Sequence, residues 1–128
     1  MDAWTWSLDI PLIQLIIAVE DKRFYDHHGI DLYGKIGSLF ENFKAWAIVR
    51  GGSTITEQYI KNAYFAGRQR TIWQKIKEWS AALVLENTKE KNDILRSYIN
   101  NLYFWENLYG IASIIGFYGG EMNLSEDN

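Results

Sequence analysis

Hydrophobic positions along this chain recur at helical spacing, and no stretch alternates with the period of two that is typical of a strand. The longest apolar run covers residues 10–19 and includes Pro11, which fits the first turn of a helix. We predict a helix over residues 12–25, apolar on most of its circumference and therefore buried. The pattern as a whole predicts a mainly α-helical fold.

Four further helices follow from the same period. The first covers residues 32–49, with Gly37 as the position at which it could break. The others cover residues 54–64, 71–88 and 94–102, and threonines stand at the first position of the 54–64 and 71–88 segments, where a cap is expected.

The apolar stripes of these helices predict what each helix buries. For the 32–49 helix a partner in the core is the default, and contact with a lipid interface is the sharper alternative. The 71–88 and 94–102 helices each carry a clear apolar stripe as well. In chain order, the three stripes are Leu32, Ile36, Leu39, Phe40, Phe43, Trp46 and Ala47; Ile72, Ile76, Trp79 and Leu83; and Ile94, Leu95, Tyr98, Ile99 and Leu102.

Composition narrows the class of protein. The 128 residues are enough for one domain, and 48% hydrophobic and 16% aromatic residues describe a folding chain. The net charge of -3 argues against a nucleic-acid partner. Cysteine is absent, which excludes disulfides and thiolate metal sites. No stretch has the roughly 18–20 apolar residues of a membrane span, and the first residues lack the basic start of a signal peptide.

Glu20 and Asp21 form an acidic pair at the end of the long apolar run. Glu20 lies one helical turn after Ile16 and one turn before Phe24, so we expect it to share their face. Burial at the edge of a core can raise the pKa of a carboxyl group towards neutrality, as a general acid or base requires. The alternative is that the helix ends here and the charges meet water.

A second polar stretch begins with the two glycines at residues 51–52. Thr54 and Glu57 have the spacing of a capping box, and Thr54, Gln58 and Lys61 fall on one helical face. A glycine turn, free N-terminal amides, hydroxyls and a lysine would suit an anion. An ordinary capped helix is the simpler explanation of the same pattern.

Charged residues mark two later stretches. Residues 67–70 form a short basic connector, and residues 89–93 form a solvated turn. Between them, Lys75 and Glu78 are three residues apart and could meet in space. A surface ion pair, which contributes little to stability, is the simplest interpretation of that spacing.

Four short segments of the chain each match a known sequence motif. Residues 20–29 have the form E-D-x-x-F-x-x-H-x-G, and residues 51–58 match G-G-S-T-I-T-Q-Q except that Glu57 replaces a Gln. Residues 74–78 correspond to R-K-x-x-E, and residues 94–100 correspond to I-L-E-x-Y-L-N. In order and spacing, over residues 10–120, the chain resembles the family 51 glycosyltransferases. These are the peptidoglycan transglycosylase domains of class A penicillin-binding proteins and their monofunctional relatives.

The resemblance implies a lysozyme-like, two-lobed helical domain with a central cleft. Residues 1–128 would form a single domain of this kind, truncated or minimal at its C-terminus. It implies polymerisation of lipid II into glycan strands, with inversion at the donor and release of a polyprenyl diphosphate. The implied partners are lipid II, the growing strand, the membrane surface and a moenomycin-type inhibitor, with a divalent cation such as magnesium at the diphosphate. The implied location is the bacterial cell envelope, on the outer (periplasmic) face of the cytoplasmic membrane.

The family's functional positions map onto this sequence residue by residue. Glu20 resembles the catalytic base, and Glu78 resembles the second essential carboxylate. Lys75 would bind the diphosphate as a point charge. The remaining positions would line the cleft or hold the first motif in shape, and they are Ser53, Thr54, Gln58, Lys61, Asp21, Phe24 and His27.

Two substitutions keep other functions open. Gln74 stands where the third motif has Arg, and Arg96 stands where the fourth has Glu. The two changes could be coupled, and they could have weakened turnover, which would leave a module that binds lipid II or glycan. A lysozyme-like hydrolase is another alternative, because a single Glu after an apolar helix suits that chemistry too. A purely structural domain is the last.

Overall fold

The computed structural model describes residues 11–45 and 52–102, and this part of the chain contains helices and connecting turns without a strand. The predicted mainly α-helical fold is confirmed, whereas the two-lobed cleft stays a prediction. None of the described helices is both long and apolar enough to cross a bilayer. The helices are α1 (Pro11–Glu20), α2 (Leu32–Ala45), α3 (Ile55–Tyr64), α4 (Ile72–Thr88) and α5 (Lys91–Asn101).

Some predictions fall outside the described residues. They concern Trp46 and Ala47 of the α2 stripe, Gly51 of the second motif, and the part of the resemblance beyond residue 102.

The apolar core lies between α1, α3 and α5, with the loop after α1 closing one side. The predicted stripe of α5 is confirmed, because four of its members are buried and Leu102 packs against them. α3 packs against both α5 and α4 and is therefore the central helix of the described part. The core residues are Ile13, Ile17, Phe24, Ile55, Ile94, Leu95, Tyr98 and Ile99.

The loop after α1 begins earlier than predicted. α1 ends at Glu20 rather than near residue 25, and a turn follows in which the Phe24 N–H donates to the Asp21 carbonyl at 2.9 Å. Gly29 has a φ of 98°, and a Cβ there would lie 2.9 Å from the carbonyl oxygen of Ala82. Only glycine fits this position, so the loop can pack directly on α4.

Two predicted stripes do not face the core. The described stripe residues of α2 are all exposed, including Leu39 at 71% and Phe40 at 61%, and the helix continues unbroken through Gly37. On α4, the buried residues are Glu78 and Ala82. Lys75 and Trp79 of α4 both contact Glu57 of α3, and the stripe residues Ile72, Ile76 and Leu83 are exposed.

The predicted threonine caps are confirmed. Thr54 Oγ1 accepts a hydrogen bond from the Glu57 N–H at 3.1 Å, and Thr71 Oγ1 accepts one from the Gln74 N–H at 3.1 Å. Each cap satisfies an amide that the first turn of a helix leaves without a partner. The starts of α3 and α4 follow from these two residues.

Candidate active site

Glu20 is the last residue of α1 and its side chain is exposed, so its predicted burial is wrong. The buried face of α1 passes through Ile13 and Ile17 and reaches Asp21 one turn later. Glu20 lies roughly 100° away from Asp21 around the helix axis, and the acidic pair is split between interior and surface. Glu20 stands at the rim of a small cavity of about 30 Å³, together with Ser53.

A hydrogen-bonded chain connects Glu20 to α3 and α5. Gln58 Nε2 donates to Glu20 Oε2 at 3.1 Å, and the Tyr98 hydroxyl donates to Gln58 Oε1 at 3.3 Å. Burial, and then the negative charges of Glu20 and Asp21, raise the pKa of Tyr98 well above its ordinary value. Tyr98 therefore remains a neutral donor that orients the amide of Gln58 towards the carboxylate.

Asp21 and His27 tie the loop to the start of α3. Asp21 Oδ2 accepts from His27 Nε2 at 2.8 Å and from the first backbone N–H of α3 at 3.0 Å. The Gly29 N–H donates to His27 Nδ1 at 3.1 Å, which makes Nδ1 an acceptor and puts the ring proton on Nε2. Phe24 is fully buried beside them. These three predicted residues lie in the interior, where Asp21 and His27 hold the loop after α1 against the start of α3.

Ser53 and Thr54 have different roles in the structure. Thr54 is buried, donates to the Gly29 carbonyl at 2.7 Å and caps α3, so both uses of its hydroxyl are internal. Ser53 is half-buried and accepts from Lys75 Nζ at 3.2 Å. It lines the cavity at Glu20 and also a second cavity of about 270 Å³, which Lys35 and Lys75 share.

Lys75 sits between two carboxylates. Its Nζ lies 2.9 Å from Glu57 Oε2 and 3.6 Å from Glu78 Oε2, so the predicted meeting of Lys75 and Glu78 is confirmed. The pair is not a surface pair, because the side chain of Glu78 is only 8% exposed. Glu57 does not complete the predicted capping box with its carboxylate, which instead contacts Lys35 and Lys75.

Lys61 lines a third cavity, of about 290 Å³, on the other side of Glu78. Arg68 and Arg70 line the same cavity, although the sequence suggested no more than a basic connector there. Arg68 and Arg70 lie close to Lys61 in the sequence. Only the structure of the turn between α3 and α4 shows that the three side chains line one cavity. Gln74 lines this cavity as well, and its buried Nε2 has no hydrogen-bond partner among the described residues.

Four of the predicted residues, Glu20, Ser53, Lys75 and Glu78, thus form a path rather than one pocket. At one end, Glu20 and Ser53 line the same small cavity, Ser53 contacts Lys75, and Lys75 contacts Glu78. Glu78 lines the third cavity together with Lys61, Arg68 and Arg70, and we call this the cationic cavity. A profile of the transglycosylase family matches residues 6–123.

The chain belongs to the transglycosylase family.

Curated relatives of the chain agree with the profile. The monofunctional glycosyltransferases of Staphylococcus aureus strains JH9, Newman and COL are each 43% identical to it over 104 residues. The matched region covers 81% of this chain and 38% of each relative. The chain therefore spans well under half the length of these relatives.

Two of the positions that differ from the motifs lie in different surroundings. Gln74 is in the cationic cavity beside Lys61. Arg96 is on the exposed side of α5, where its Nη1 lies 3.6 Å from Asp93 Oδ1. Coupling between Gln74 and Arg96 stays a prediction.

The described carboxylates fit a divalent cation only in a limited way. The described residues contain no group of three or more His, Asp or Glu side chains that could hold a metal by themselves. Glu78 is the carboxylate that lines the cationic cavity. Magnesium commonly takes one or two protein carboxylates and completes its shell with substrate phosphates and water. Glu78 suits that arrangement.

Proposed function

We propose that this chain is the catalytic part of a peptidoglycan glycosyltransferase that polymerises lipid II. The observation that carries the proposal is the path from Glu20 through Ser53 and Lys75 to Glu78. It offers an exposed carboxylate for an acceptor at one end and cations for a diphosphate at the other. Membership of the transglycosylase family and the name of the S. aureus relatives support the same reaction.

Glu20 is proposed as the general base. Gln58 Nε2 donates to Glu20 Oε2, and Glu20 has no second hydrogen-bond or ion-pair partner among the described residues. Oε1 is then available to accept the proton of the acceptor's 4-hydroxyl. The acceptor oxygen forms its bond to the donor's anomeric carbon while the bond from that carbon to the diphosphate breaks. The configuration inverts, and the diphosphate leaves with the electron pair.

The leaving diphosphate needs positive charge, and this chain has several cations close to the path. Lys75 lies at its centre, and Lys61, Arg68 and Arg70 line the cavity beyond Glu78. Fixed cations stabilise negative charge as it develops on a leaving group, without the need to reorganise solvent. A divalent cation such as magnesium, held by Glu78, would add charge neutralisation at the same place.

The polyprenyl part of the substrate implies a membrane surface. The outer face of α2, with Leu32, Ile36, Leu39, Phe40 and Phe43, is exposed and adjoins the cavity that Lys35 and Lys75 line. An exposed apolar face with five large side chains is a candidate for contact with lipid. We place the chain in the bacterial cell envelope, at the outer face of the cytoplasmic membrane. The same path would accept a moenomycin-type phosphoglycolipid.

Lipid II polymerisation tests the proposal directly. We expect this chain to form glycan polymer from labelled lipid II in detergent with magnesium, and Glu20→Gln to lower the rate by about 100-fold or more. The urea midpoint should not change, since Glu20 is exposed and Gln is isosteric. Glu90→Gln is the matched control, because Glu90 is exposed and its side chain makes no cap hydrogen bond at the start of α5.

The alternatives predict other outcomes of the same assay. Lipid II binding without polymer would favour a weakened binding module and would contradict the proposed turnover. Release of fragments from purified peptidoglycan would favour the hydrolase. Equal polymerisation by wild type and Glu20→Gln would refute the role of Glu20 as base.

A further inference from the structure

Glu57 occupies an unusual place for a carboxylate. Its side chain is 0% exposed, and it lies in the first turn of α3, where the amide dipoles favour negative charge. The second family motif has a neutral Gln at this position, so the buried charge belongs to this chain rather than to the motif. A buried carboxylate needs compensating partners, because its desolvation is otherwise very costly.

The partners of Glu57 are divided between its two oxygens. Oε2 receives Lys75 Nζ at 2.9 Å and a hydrogen bond from Trp79 Nε1 at 3.1 Å. Oε1 lies 2.7 Å from Lys35 Nζ but has no partner of hydrogen-bond geometry among the described residues, so its compensation is a matter of charge.

Lys35 is held in place independently of Glu57. Its Nζ donates to the Gly52 carbonyl at 2.8 Å and lies 5.2 Å from the centre of the Trp79 ring. A Cβ at Gly52 would lie 3.4 Å from Lys35 Cα, so the two segments are closely packed. The ammonium of Lys35 is therefore a fixed charge beside the carboxylate.

The balance of charge around Lys75 depends on both Lys35 and Glu57. Lys75 faces two carboxylates, Glu57 and Glu78, and these three groups alone would carry a net charge of about −1. Lys35 brings the group of four to neutrality. With a neutral Gln at position 57 and no lysine at 35, the remaining two groups would also be neutral.

We propose that Lys35 and Glu57 form a charge-compensating pair that leaves the positive charge of Lys75 available to the diphosphate. Lys35 cancels the negative charge that Glu57 adds beside Lys75. The inference rests on the proposed function for the identity of the diphosphate, but the balance of charge can be measured without turnover.

Four proteins test the pair: wild type, Lys35→Met, Glu57→Gln and the double variant. We expect Lys35→Met to raise the KM for lipid II roughly ten-fold, because the surplus negative charge opposes the diphosphate. Glu57→Gln should leave that KM unchanged or lower, and the double variant should return to within about three-fold of wild type. Damage to the structure alone would weaken binding in both single variants.

Lys91→Met is the matched control. Lys91 Nζ lies 2.7 Å from Glu86 Oε1, with side chains 20% and 3% exposed, close to the 19% and 0% of Lys35 and Glu57. It belongs to a different side of the molecule, between α4 and α5. We expect Lys91→Met to lower the urea midpoint as Lys35→Met does, with no change in KM.

Calorimetric titration with inorganic pyrophosphate separates this inference from the proposed function. If wild type forms no polymer but pyrophosphate affinity falls in Lys35→Met and recovers in the double variant, the pair stands and the proposed function fails. If wild type forms polymer but both single variants raise KM, or their effects on KM simply add, the pair is refuted. Absence of pyrophosphate binding by wild type also refutes it. Should Lys35→Met not fold, a raised KM in Glu57→Gln is sufficient to overturn the proposal.

Discussion

The two sides of α3 are both buried, but they are chemically opposite. Towards α5, Ile55 and Tyr59 pack on hydrocarbon. Towards α4 and α2, Glu57 meets two ammonium groups and an indole N–H. Burial of hydrocarbon stabilises the folded state roughly in proportion to the buried area, whereas a buried charge stabilises it only where a partner of opposite charge is within contact distance. The apolar side therefore holds the fold together, and the polar side sets the geometry of the candidate site.

The largest effect is expected on the apolar side. Leu95→Ala should lower the free energy of unfolding by about 2–5 kcal/mol, because Leu95 is fully buried in the core and its removal leaves a cavity. Urea denaturation measures this. Leu39→Ala on α2 is the control, with an expected change within about 0.5 kcal/mol. Equal losses in the two variants would mean that α2 is covered in solution and would break the comparison.

The exposed face of α2 is apolar but belongs to neither buried side. If it contacts lipid, Phe40→Ser should lower the partition of the chain onto phospholipid vesicles by roughly ten-fold, since burying a Phe is worth about 1.5–3 kcal/mol. Co-sedimentation with vesicles measures the partition. Val84→Ser on α4 is the control, because Val84 is 64% exposed, close to the 61% of Phe40. A similar decrease in both variants would argue against a specific role of α2.

The two threonine caps compare a buried and an exposed version of one interaction. Thr54→Ala should lower the free energy of unfolding by about 1–2 kcal/mol, because it removes a cap and also leaves the Gly29 carbonyl without its donor. Thr71→Ala should lose less, about 0.5–1 kcal/mol, because Thr71 is exposed and water can replace it. Chemical denaturation of both variants gives the order. A larger loss at Thr71 would contradict the internal role of Thr54.

The last expected effect concerns Tyr98 of α5, which contacts Gln58 of α3. Burial raises its pKa, so the folded protein keeps a proton that the unfolded chain has lost above about pH 10. This contribution to stability is fully present below that pH and declines above it, by at most about 1.4 kcal/mol per pH unit. Tyr98→Phe should make the decline shallower and cost about 1 kcal/mol at neutral pH, through the bond to Gln58.

Urea denaturation at about pH 8 and about pH 11 measures both effects of Tyr98→Phe. Tyr59, whose pKa burial also raises, should account for part of the decline that remains. If the free energy of unfolding declined with pH as steeply in Tyr98→Phe as in wild type, ionisation of Tyr98 would not be a cause of the decline.

Local patterns predicted much of the fold correctly. The α5 stripe and the caps at Thr54 and Thr71 are in the structure as the sequence indicated. Each depends on residues within one or two turns of one another, so local geometry is sufficient to define it. The contact of Lys75 with Glu78, three residues apart, was predictable for the same reason.

The incorrect predictions concern which face of a helix is buried in the core. Glu20 was expected on the buried face, but the loop after α1 turns Asp21 inwards. The stripe of α2 was expected in the core by default, and its described residues are exposed instead. On α4, Ile72, Ile76 and Leu83 are exposed, whereas Trp79 is half-buried. A period of 3.6 residues shows which side chains share a face but does not show what packs against that face.

The sequence by itself determined the helices, their starts and the spacing of the motifs, because these depend on neighbours along the chain. Only the tertiary structure decided which carboxylate of the first motif is exposed and which lysines meet Glu57. Lys35 and Glu57 lie on different helices, α2 and α3, and Lys75 lies on α4. Buried charges have strong preferences for their partners but no sequence period that reveals them, so their pairing appears only when the helices are packed together.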